Sequence, residues 1–292
     1  MTDFHGEPTR VLENRYLQLE CLANSARIVR CSPRGKSNLF ADLGHSPTQT
    51  PFGDFYFRGG HRLWHAPESM PRTYVPDNEG ATVHDIANGI RIQMPSDSWT
   101  HIAKIIEIQL IPDRPQVILQ HQLCNEGAWT VELAPWALTM FRLGGVGIFP
   151  QPVGNVDDAG LLSNRRLVLW PYTRIDDPRL TLRDDFLLVY ANPDSSPIKL
   201  GYFNPRGWLG YWLDDVLFVK RFEVLADAQY PDHECNSEIY CNNQFIELES
   251  LGSLQRVRPG QTVHHSELWE IYDSLDVPFV PEDIKRLVEQ EN

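Results

Sequence analysis

Alternation of apolar and polar residues with a period of two runs through this chain almost from end to end. Ile102-Ala103-Lys104-Ile105-Ile106-Glu107-Ile108 and Val117-Ile118-Leu119-Gln120-His121-Gln122-Leu123 have it, as do Arg166–Trp170, Phe186–Tyr190 and Val216–Lys220. That spacing places alternate side chains on opposite faces of a strand. Clusters of Gly, Pro, Asn and Asp such as Asn192-Pro193-Asp194, Asn204-Pro205-Arg206-Gly207 and Arg258-Pro259-Gly260 punctuate the runs as turns. One helical pattern stands out, opened by Pro281 and running through Ile284, Leu287 and Val288. Many short strands and one late helix predict an all-β sandwich, because a barrel or propeller would leave an internal repeat. No repeat or linker is visible, so a single domain over 1–292 is expected, with its core over about 11–272 and a helical tail at 281–290.

At 292 residues such a domain buries roughly three-quarters of the surface its unfolded chain exposes and needs no disulfides. The five cysteines (Cys21, Cys31, Cys124, Cys235, Cys241) are odd in number without C-x-x-C spacing, and the first residues lack a secretory pattern. A cytoplasmic location with reduced thiols is the expectation, with Cys124 and Cys241 as small core residues. A formal net charge of −13 argues against nucleic acid or an anionic membrane as partner. No apolar run approaches the roughly 18 residues needed to span a bilayer. With 8 Trp, 10 Tyr and 13 Phe, the chain is rich in flat aromatic faces, which stack well on the C–H face of a sugar ring.

The stretch Asn236 to Glu249 reads as a hairpin turning at Asn242-Asn243. A two-residue turn would pair Ile239 with Ile246, Glu238 with Glu247 and Asn236 with Glu249. Glu238, Glu247 and Glu249 then crowd one face. Opposed like charges destabilise a sheet, so the cluster points to a site. Calcium is the ion these oxygen ligands would suit; otherwise no metal or cofactor is expected. Elsewhere, His61 and His65 flank Trp64 in a segment whose Pro67 disfavours a helix, so joint metal ligation is not expected. His121, on an apolar face, reads as a satisfied core histidine. His264 and His265 face opposite ways. Tyr172, Arg174 and Asp176 share a strand face, and Lys199 and Trp208 flank Tyr202–Pro205, but spacing alone places none of them in a cleft.

Several motifs in order resemble one family. Ser25-Ala26-Arg27-Ile28-Val29-Arg30 with Asn38-Leu39-Phe40, Phe57-Arg58-Gly59-Gly60-His61-Arg62, His121–Gly127 with Glu132–Trp136, and Phe245–Glu249 with Pro259-Gly260 are together similar to the galactose mutarotase-like (aldose 1-epimerase) superfamily. The resemblance spans about residues 11 to 272 and implies an antiparallel β-supersandwich acting on a small sugar or sugar phosphate, as a monomer or homodimer. It implies Glu249 as base and His65 as a site histidine. It also implies Arg58 as a ligand for hydroxyl or phosphate groups, with His61, Trp64, Trp136, Glu238 and Glu247 around the substrate. Leu138 stands where the resemblance calls for the acid histidine, and leucine donates no proton. Three readings therefore stand open: a 1-epimerase with another acid, a non-catalytic sugar-binding protein of the same fold, and a polysaccharide lyase-like enzyme.

Overall fold

The computed structural model describes residues 3–193, 196–273, 275 and 281–289. Two large antiparallel sheets, of eleven and ten strands, account for most of it. The first runs from Asp3–Phe4 through Arg27–Pro33, Gly60–Ala66, Val131–Phe141, Ile246–Leu251, Ser237–Cys241 and Ile198–Tyr202 to Val168–Leu169. At the centre of the second lie Val216–Phe222, Thr262–Tyr272, Gln116–Asn125 and Ile102–Leu110. Gln116–Asn125 alternates half-buried and buried at every step, as its sequence does, whereas Phe186–Tyr190 and Val216–Phe222 are buried on both faces and only Val168–Leu169 of Arg166–Trp170 is strand. The expected sandwich is therefore present.

Between the sheets lies one hydrophobic cluster drawn from Leu17 to Ile271, with Phe40, Phe141, Phe218 and Trp269 packed edge to face. The late helix is Pro281–Glu289. Its Ile284 and Val288, one turn apart, pack on Trp208, Phe186 and Val219 on the outer face of the ten-stranded sheet. Cys241 is buried as expected, whereas Cys124 is only half-buried on the outward phase of its strand.

The histidines His61 and His121 and the carboxylate of Glu267 inside the sandwich find partners within the protein. The Nε2 atoms of His61 and His121 lie 2.8 Å apart, with His61 Nδ1 on the Thr139 hydroxyl at 2.9 Å and His121 Nδ1 on the His265 carbonyl at 3.0 Å. Glu267 accepts from Ser250 and Trp269 and pairs with Lys220 at 2.8 Å. Its burial opposes ionisation, but the Lys220 ammonium together with the neighbouring imidazoles outweighs that and holds the carboxyl below its usual range. Burial pushes the His61 and His121 imidazoles down, so both are neutral. His61, His121 and Glu267 have the proximity of metal ligands, yet Lys220 already supplies the cation. Thus His121 is the hydrogen-bonded core histidine its strand pattern predicts, and His61 is its partner rather than a substrate ligand.

The hairpin forms, but two residues out of the expected register. Glu238 opposes Glu249, Tyr240 opposes Glu247 and Ile239 opposes Leu248. The loop has four residues, because Asn242 Oδ1 accepts from the backbone N–H groups of Gln244 and Phe245 at 2.8 and 3.0 Å. A slip of two preserves the faces, whereas a slip of one would have exchanged them. The three glutamates therefore still share one side of the sheet.

Candidate functional site

A cleft of about 590 Å³ opens on the face of the eleven-stranded sheet turned away from the other sheet. That is the size of a small-ligand pocket. The strand registers explain its floor. Trp64 lies beside Trp136, Leu138 beside Glu249, Met140 beside Glu247, Glu247 beside Tyr240, and Tyr240 beside Lys199. Cross-strand neighbours share a face, so one row of alternate residues from five strands points outward together. Phe57, Glu68, Tyr74, Trp170, Tyr172 and Phe245 from the surrounding loops complete the walls. Trp64 and Trp136 meet at 5.3 Å between ring centroids.

Beneath this floor is a buried ion cluster. Lys199 Nζ lies 2.8 Å from Glu238 and 3.1 Å from Glu249, both fully buried, and Trp136 Nε1 donates to Glu249 at 2.8 Å. The ammonium sits over the rings of Trp136 and Trp170 at 4.6 and 4.8 Å. Gly201, opposite Glu238, leaves room for it: a Cβ there would come within 3.0 Å of Glu238 Cγ. Burial, opposed by Lys199 and helped by Glu249, pushes the Glu238 carboxyl well above its usual range. Two carboxyl groups share one ammonium in this dry site. Burial lowers the Lys199 ammonium, but the two glutamates more than offset this and keep it cationic. The repulsion that suggested calcium is thus relieved by Lys199.

Glu247 is different. It lines the cleft, is 7% exposed and makes no hydrogen bond to any described residue. Burial first, then the neighbouring Glu249, raise its carboxyl to about 8, against the pull of Arg62 and Lys199. Glu68 also lines the cleft and accepts a hydrogen bond from the Tyr74 hydroxyl.

Of the residues singled out in the sequence, Trp64, Trp136 and Glu247 meet in the cleft, whereas Glu238 and Glu249 lie just under it. Three others lie off it. His65 is next to Trp64 on a strand and so points into the interior, where burial lowers it to about 3. His61 faces the same way. Arg58 is buried in an ion pair with Glu7 at 2.9 Å and bonds Asn78. The glycines after it serve backbone packing, not ligand approach: a Cβ on Gly59 or Gly60 would lie 2.0 Å from the carbonyl of Ala41 or Ile28. No arginine lines the cleft among the described residues, which leaves a lyase without its charge-neutralising group. Spacing alone did not place Lys199, Trp170, Tyr172 and Glu68 in the site. The signals were a lysine inside the apolar strand Ile198–Tyr202 and an acid just after Pro67.

No family model and no curated protein sequence matches the chain. Solved structures do. A putative aldose 1-epimerase from Escherichia coli K12 superposes with a TM-score of 0.58 at 11% identity over 92% of this chain and 100% of that one. A galactose mutarotase-like protein from Lactobacillus casei ATCC 334 gives 0.57 at 11% over 91% and 100%. A putative mutarotase from Salmonella typhimurium gives 0.56 at 11% over 90% of each chain. At this identity the likeness concerns architecture, and on it the chain has the galactose mutarotase-like β-supersandwich fold.

Proposed function

We propose that the cleft binds a small aldose sugar, free or phosphorylated, and interconverts its anomers as a mutarotase-like 1-epimerase with Glu247 as the base. The observation that carries this reading is a carboxyl that is buried, lines an aromatic cleft and has no partner of its own. A base poised near neutrality is what proton abstraction from a hydroxyl needs. Glu247 takes the proton of the anomeric hydroxyl, the C1–O5 bond breaks, and the electron pair goes to O5. As the bond breaks, O5 takes a proton from water at the open mouth of the cleft. Rotation about C1–C2 and the reverse steps give the other anomer. Trp64, Trp136 and Trp170 offer faces for the pyranose ring.

A second reading, sugar binding without turnover, is favoured by Leu138, which lines the cleft where an acid side chain would serve catalysis. The five free cysteines suit a reducing compartment such as the cytoplasm. Among the described residues no helix is long and apolar enough to cross a membrane. Polarimetry on freshly dissolved α-glucose and α-galactose separates the readings. Acceleration over the buffer blank is expected. Absence of acceleration across a panel of aldoses would remove the epimerase, and saturable sugar binding without acceleration would establish the second reading.

A further inference from the structure

The charges around the cleft do not suit an anion. Lys199 is the one cation among its described lining residues, and Glu238 and Glu249 already share its ammonium. Arg58 is held by Glu7, and Arg62 donates to the Phe57 carbonyl while packed against the rings of Phe55, Phe57 and Trp64. Neither lines the cleft. Lining it instead are the carboxyl groups of Glu247, which is buried, and of Glu68, at its exposed rim, beside the rings of Trp64, Tyr74, Trp136 and Tyr240. Glu247 lacks any hydrogen-bond partner among the described residues although it is 7% exposed. Its carboxyl oxygens open onto the cleft and take no donor from the described residues, which leaves them free to pair with a donor on a ligand. Aromatic faces with carboxylates between them are the setting in which an ammonium group binds well.

We propose that the preferred ligand is an aldose carrying a protonated amine, of the 2-amino-2-deoxy kind, with its ammonium held by Glu247 and Glu68 against the aromatic walls. This rests on the sugar-site reading above and narrows it. The proton balance is simple: the ligand arrives as R–NH₃⁺, the Glu247 carboxyl releases its proton to solvent, and the carboxylate and ammonium pair. Binding therefore strengthens as pH rises from 6 towards 8. The same pairing leaves Glu247 in the ionised form that a base requires.

Isothermal titration of the full chain with glucosamine, N-acetylglucosamine, glucose and glucose 6-phosphate tests this directly. Glucosamine should bind about tenfold or more tighter than N-acetylglucosamine, which has the same skeleton without the charge. Titration in two buffers of different ionisation heat should show about one proton released at pH 7. Glu247→Gln should abolish the proton release and most of the preference, and Glu68→Gln should weaken the preference. Equal affinity for glucosamine and N-acetylglucosamine, or tightest binding of glucose 6-phosphate, would overturn the proposal. If glucose still binds and its anomers exchange, the sugar site stands without it; if no sugar binds, both fall.

Discussion

Replacing Glu247 with glutamine is expected to slow anomer exchange by roughly 10²–10⁴-fold, the usual worth of one positioned proton-transfer group. In the unsubstituted protein the rate should climb about tenfold per pH unit up to about 8, where Glu247 is half ionised, and level off above. The glutamine variant should lose that climb. The same substitution should stabilise the fold at high pH. Folding raises the Glu247 carboxyl from 4.5 to about 8, so its contribution is fully present below 4.5 and is lost as pH rises through 8. Over that window the native state holds a proton that the unfolded chain has released, and stability falls with pH. Glutamine has no proton to lose. Denaturation at pH 9 should show Glu247→Gln more stable than the parent by on the order of 3 kcal/mol, with the difference gone near pH 4. A variant with full activity, or one less stable at pH 9, would remove Glu247 from the role given to it.

Lys199→Met is the second large effect. Lys199 is the counter-ion of two buried glutamates and sits between two tryptophan rings. Removing one partner of a buried ion pair typically costs about 3–5 kcal/mol, because the remaining charge stays uncompensated. Removal of Lys199 leaves Glu238 and Glu249 buried together without their cation. Urea denaturation of Lys199→Met and of Lys199→Met with Glu249→Gln measures this. The double variant should recover part of the stability, since it removes one of the two carboxyl groups left without a cation. Equal stability of the single variant and the parent at pH 7 would contradict the cluster as described.

The sandwich was legible because its signal is local and repeated. Gln116–Asn125 alternates in the sequence as it does in burial, and Pro281 marks the start of a helix whose buried residues are one turn apart. The acidic hairpin was legible by face but not by register, because the Asn242 side chain closes a four-residue loop where the dipeptide suggested two. Parity protected the main inference: a two-residue slip moved Glu249 from Asn236 to Glu238 and left it on the same side. What the chain order hides is depth. Glu247 and Glu249 are equivalent in pattern, yet one lines the cleft and the other is sealed beneath Lys199 and Trp136. Arg58 reads as a ligand-binding arginine until Glu7, fifty-one residues earlier, is seen to occupy it. Lys199 reads as an isolated strand lysine until the glutamates it neutralises arrive from two later strands. Partners so distant along the chain leave no periodicity to read.

At the centre of this account is a sugar seated on the tryptophan walls with Glu247 against its anomeric centre. A crystal of the protein soaked with glucosamine and, separately, with glucose reports on that most directly. The ring should lie against Trp64, Trp136 or Trp170, with Glu247 within about 3 Å of the anomeric oxygen. Sugar found elsewhere on the protein, or a cleft that stays unoccupied at saturating concentrations of both, would contradict it.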